Sequence, residues 1–189
     1  MSARGRHDEA IGEVRRAVAL DPASSSIMTS LAFVLSNARR FDEAIDTQKI
    51  AVERSADSTL AQLDLARAYR LSGRHDLAIE TSRRMADSGD PLGPTFLAAS
   101  YARAGRKADA LTIVRKMEND ARRSHQGGFL VGVVYAAMGD RDQAFRWLEE
   151  AFAAHDTFLP WLKVDPEFDA LRGDPRFDDL VRRIGIPER

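Results

Sequence analysis

Residues 73–90 read GRHDLAIETSRRMADSGD, and four other strings in the chain follow the same plan. They are GRHDEAIGEVRRAVALDP (5–22), RRFDEAIDTQKIAVERSA (39–56), GRKADALTIVRKMENDAR (105–122) and GDRDQAFRWLEEAFAAHD (139–156). Each has a polar start and then an alanine (Ala10, Ala44, Ala78, Ala110 or Ala144) followed by an apolar residue. Successive alanines lie 34, 34, 32 and 34 residues apart, the kind of fixed period that marks a repeat architecture.

The segment before each of the last four strings repeats as well. Leu31-Ala32 leads to Leu35, Leu65-Ala66 to Tyr69, Leu97-Ala98 to Tyr101 and Val131-Gly132 to Tyr135. These are apolar faces at helical spacing, and Gly73, Gly105 and Gly139 follow four residues after the tyrosines, where a helix would end. Two helices joined by a glycine turn in each period predict an all-α chain of helical hairpins. The small Ala and Gly positions allow close approach of paired backbones, and the Tyr, Leu and Ile positions fill the space between repeats.

This pattern resembles the tetratricopeptide repeat, with its Leu-small-x-x-Tyr helix, an Ala opening the second helix and a closing Pro. The resemblance spans about residues 5–155. Met28, Gln62, Pro94 and Gly128 stand where a large aromatic often opens the first helix, Arg39 stands at a glycine position, and only Pro22 closes a repeat cleanly. The resemblance implies a right-handed superhelical array, with a half repeat at 5–22 and full repeats at about 25–56, 59–90, 91–122 and 125–155. Residues 6–20 read as a second helix without its first. The bare face of Ala10, Ile11, Val14 and Ala17 then calls for a preceding part of a longer protein. The alternative cover is a second copy, making a homodimer through the half repeat.

Residues 156–189, DTFLPWLKVDPEFDALRGDPRFDDLVRRIGIPER, break the period. The stretch around 145–187 resembles a segment that closes such arrays in bacterial proteins, both stand-alone repeat proteins and the C-termini of adenylate cyclases, serine/threonine kinases and transcriptional regulators. It reads as a short helical cap, in which Leu159, Trp161, Leu162 and Val164 cover the last hairpin. Asp-Pro-x-Phe-Asp occurs twice, at 165–169 and 174–178. Asp165 and Asp174 suit helix N-caps, Pro166 and Pro175 the first helical position, and Phe168 and Phe177 the interior. Glu167, Asp169, Asp178 and Asp179 suit the positive helix N-termini.

Charge is nearly balanced, 28 Lys and Arg against 29 Asp and Glu, which argues against a nucleic-acid partner. No apolar run is long enough to span a membrane, and the opening MSARGRHDEA lacks the apolar core of a secretory signal, so a cytoplasmic location is expected. Only four of the 28 cations are lysine, a bias that suggests a GC-rich bacterial genome. Without cysteine there is no thiolate nucleophile, disulfide or Cys-based metal site.

The chain holds no phosphate-binding loop, dinucleotide fingerprint, zinc-protease, nucleophile-elbow or kinase motif. His7 and His75 share one repeat position, and His125 and His155 stand apart from acids at metal-ligand spacing. The Asp140/Asp142 pair sits at a helix start and reads as capping. No catalytic residue, cofactor or metal site is therefore expected, and the chain does not read as an enzyme.

The resemblance implies a non-catalytic scaffold or adaptor that binds a partner's peptide or helix in its concave groove. The positions facing that groove are Ser26, Thr29, Phe33, Leu63, Arg67, Arg70, Thr95, Ala99, Phe129 and Val133, with Arg67 and Arg70 offering charge to an acidic partner segment. The alternative is a regulatory or sensory C-terminal module of a larger bacterial signalling protein, its active domain lying elsewhere.

Overall fold

A computed structural model of the chain describes residues 6–55, 58–124 and 127–185. Among these residues every regular element is helical. The helices are α1 (His7–Leu20), α2 (Ser25–Asn37), α3 (Phe41–Arg54), α4 (Thr59–Leu71), α5 (His75–Asp87), α6 (Gly93–Arg103), α7 (Lys107–Ser124), α8 (Gly128–Met138), α9 (Arg141–Ala153) and α10 (Pro175–Ile184). Two 3₁₀ turns, Leu159–Trp161 and Pro166–Leu171, lie between α9 and α10.

Hairpins α2–α3, α4–α5, α6–α7 and α8–α9 stack in order, with α1 packed on α2. The repeated alanines explain the tight pairing: Ala44, Ala78, Ala110 and Ala144 are each 0% exposed. Gly93 brings α6 so close to α5 that a Cβ there would lie 2.5 Å from the backbone nitrogen of Ala86. Side-chain caps start several helices. Ser24 accepts from the amide of Ile27 at 3.3 Å, Ser58 from that of Ala61 at 3.4 Å and Asp140 from that of Gln143 at 3.2 Å.

Within each hairpin the first helix ends in the same turn. The amides of Arg40, Arg74, Arg106 and Asp140 reach back to the carbonyls of Leu35, Tyr69, Tyr101 and Tyr135 at 2.8–3.0 Å. That turn needs a left-handed residue, supplied by Gly73, Gly105 and Gly139 at φ 76–78°. Arg39 adopts φ 61° in the glycine's place. Its side chain holds the turn, donating from Nη1 to the carbonyl of Asn37 at 3.0 Å and from Nε to Asp169 at 3.1 Å.

Both Asp-Pro pairs start helical turns. Asp165 accepts from the amide of Glu167 and Asp174 from that of Arg176, each at 3.0 Å, with Pro166 and Pro175 at the first helical position. The first motif forms a six-residue 3₁₀ turn, the second opens α10. The C-terminal segment also travels further than a cover for the last hairpin would. Trp161 packs edge-on against Phe33 of α2, ring centroids 4.9 Å apart, before Phe168 reaches Phe129 of α8 at 5.2 Å. It runs along the inside of the array, and α10 then returns to the outside of α9, where the Arg183 guanidinium lies 4.4 Å from the Phe152 ring centroid.

Candidate functional site

The first helix of each hairpin presents one face to the inside of the array. Thr29 and Phe33 on α2, Leu63, Arg67 and Arg70 on α4, Thr95 and Ala99 on α6, and Phe129 and Val133 on α8 follow helical spacing. The structure brings all nine around a single cavity of about 440 Å³, a volume in the roughly 300–1,000 Å³ range of ligand pockets. Ser26 is not on its wall; it is exposed, and its carbonyl accepts from Ser30 Oγ at 3.0 Å.

The opposite wall comes from the C-terminal segment, through Phe158, Trp161, Asp165 and Glu167. Further helical residues join the lining, among them Leu60, Asp64, Phe96 and Leu130. Leu60 and Phe158 remain 60% and 47% exposed, so the apolar lining continues out to solvent at the mouth. Asp64 and Leu60 share the helix face of Leu63 and Arg67, a stride that marks them in the sequence. The tail residues carry no such mark, because their wall position depends on a chain path that no local periodicity encodes.

Arg67 and Arg70 are buried and are not free for a partner. Arg67 Nη2 donates to Asp165 Oδ1 at 2.7 Å and to Asn37 Oδ1 at 2.9 Å. Arg70 Nε donates to Glu167 Oε1 at 3.1 Å, and its Nη2 reaches the same oxygen. Arg103 adds a third cation, 3.6 Å from Glu167 Oε2, and donates to the Glu167 carbonyl at 3.1 Å. The expected acidic partner segment is thus supplied by the chain itself. Glu167 stands in the first turn of its helical segment, as expected, and is also the centre of a buried arginine cluster.

Burial opposes ionisation of Glu167, but the charges of Arg70, Arg103 and Arg67 outweigh it and hold the carboxyl below its ordinary range. Burial likewise opposes the charge of Arg67, and Asp165, Glu167 and Asp64 overcome it. For Asp64 burial outweighs the neighbouring positive charge. Burial pushes its carboxyl up to about 6, with Arg67 pulling it down and Asp165 pushing it further up. The guanidinium groups of Arg67 and Arg70 also lie 5.3 Å from the ring centroids of Phe33 and Phe96, so each arginine is held on two sides.

The remaining candidates from sequence have structural places. Asp140 caps α9, and Asp142 pairs with Arg176 at 2.9 Å. Trp147 is buried and donates to Glu118 at 3.1 Å. His155 is exposed at the turn after α9, and His125 lies outside the described residues. Among the described residues, no three His, Asp or Glu side chains are grouped to hold a metal ion.

The family model for the tetratricopeptide repeat matches residues 59–84 and 95–116, which fall on α4–α5 and α6–α7. No curated protein matches the chain. A chain in the solved structure of Naa15/Naa10 bound to HypK-THB is 19% identical, with a TM-score of 0.41 over 95% of this protein and 29% of that chain. This protein therefore spans less than a third of that chain. The family model thus matches two of the hairpins that recur from α2 to α9, and over those residues the chain is similar to tetratricopeptide-repeat proteins.

Proposed function

We propose that the array is a non-catalytic protein-interaction module whose concave cavity receives apolar side chains from a peptide or helix of a partner. The observation that carries this is the exposed apolar mouth. Leu60 and Phe158 face solvent beside a cavity lined by Phe33, Leu63, Phe129 and Trp161. Large apolar residues that rim a concave, mostly apolar site mark interaction surfaces. The C-terminal segment completes this site, since two of its aromatics form the far wall.

The test is capture of partners from the source cell by the wild type and by Leu60→Asp, Phe158→Asp and Leu77→Asp. Leu77 is 44% exposed on α5, away from the cavity, and serves as control. Partners retained by Leu77→Asp and lost by both cavity-mouth variants support the reading. An identical set captured by all four proteins removes it.

A further inference from the structure

Five charged residues line the concave cavity: Asp64, Arg67, Arg70, Asp165 and Glu167. Four of them are matched within the chain, Arg67 with Asp165 at 2.7 Å and Arg70 with Glu167. The fifth, Asp64, makes no hydrogen bond or ion pair among the described residues, although it is partly buried between Leu60 and Arg67 on α4. The wall therefore carries one carboxylate with no direct hydrogen-bond or ion-pair partner, offset only by the more distant charge of Arg67. Partly buried charge without a direct partner is costly, and an incoming cation relieves that cost.

From this we infer that the cavity selects partner segments carrying a basic side chain set between apolar ones, with Asp64 as the residue that recognises the cation. The inference rests on the reading of the cavity as a docking site. It reverses the charge expected from Arg67 and Arg70 alone, because the chain's own acids already neutralise those two. The apolar flanking residues of the partner meet Leu60, Leu63 and Phe158, which line the same cavity as Asp64.

Two fluorescein-labelled peptides test this, identical except for a central Arg or Glu flanked by Leu and Phe. Binding is read by anisotropy, with the full chain in its wild-type, Asp64→Asn, and Leu60→Asp/Phe158→Asp forms. The Arg peptide is expected to bind wild type about tenfold more tightly than the Glu peptide, about 1.4 kcal/mol. Asp64→Asn, nearly isosteric, should abolish that preference, and the mouth variant should weaken both peptides.

Lowering the pH is a second arm. Burial raises the Asp64 carboxyl to about 6, so the preference should be full at pH 7.5 and fade by pH 5. Arg67, Asp165, Arg70 and Glu167 face the same cavity from α4 and the tail, and the α2 and α6 residues on its wall are uncharged. Equal binding of both peptides, or a preference that survives Asp64→Asn, overturns the inference while leaving the docking site standing. Failure of both peptides to bind at millimolar concentration overturns both. Asp64-dependent binding of phenethylammonium without peptide binding overturns it in favour of a small amine.

Discussion

Arg70 of α4 and Glu167 of the C-terminal segment, 97 residues apart in sequence, meet in an ion pair in which each side chain is only 2% exposed. Removing one member of such a pair leaves the other charged and dry, a loss of about 3–5 kcal/mol. Glu167→Ala should therefore destabilise the protein by about that amount in urea unfolding. Asp169→Ala, which removes the exposed partner of Arg39, should cost about 0–1 kcal/mol. Similar losses for the two variants would mean that Glu167 is not buried with Arg70.

Acid should act on this cluster in one direction. The Glu167 carboxyl is held below its ordinary value of 4.5. Its contribution is thus complete above pH 4.5 and is lost as the pH falls through the lower folded-state value. Asp64 works the opposite way. Its folded carboxyl, at about 6, lies above the ordinary 3.8, so it costs stability as pH rises between those values. The stability difference between Asp64→Asn and wild type should grow from pH 4 to pH 6 in favour of the variant, then stay level. A difference that does not change with pH would place Asp64 in open solvent.

Two glycines should respond to alanine with opposite signs. Gly93 has no room for a Cβ against Ala86, so Gly93→Ala must separate α5 from α6, at a cost of about 1–3 kcal/mol. Gly12 lies inside α1 with nothing within 4 Å of a built Cβ, and Gly12→Ala should gain about 0.5–1 kcal/mol. Thermal melts of both variants check the pair together.

A chain ending at Asp156 would lose both the far wall of the cavity and the counter-charges of Arg67 and Arg70. Phe129, now 4% exposed, would lose Phe158 at 5.9 Å and Phe168 at 5.2 Å. Its melting temperature should fall by more than about 10 °C, at roughly 2–4 °C per kcal/mol for a protein of this size. Calorimetry that finds the shortened array as stable as the full chain would refute the tail's place on the concave face.

The hairpins were legible because their cause is local. A buried alanine every 34 or 32 residues, an apolar stride and a glycine turn each act within one helix or one loop. The groove face was legible for the same reason, since Thr29 and Phe33 or Leu63 and Arg67 share a side by helical geometry alone. What surrounds that face was not. Asp165 and Pro166 announce a helical turn, but nothing near them says that it lies against α4 and α8 rather than over α9. Glu167 reads equally well as an exposed first-turn acid or as the counter-charge of Arg70. Only the long-range path of the chain decides between them.

The measurement that tests this path most directly is proton–proton NOE spectroscopy on the assigned aromatic side chains of the full protein. With the C-terminal segment on the concave face, the Trp161 indole should show NOEs to the Phe33 ring, 4.9 Å between centroids, and Phe168 to Phe129, 5.2 Å. If all four rings are assigned and Trp161 and Phe168 show NOEs only to α9 and α10, the segment caps the last hairpin and leaves the groove open.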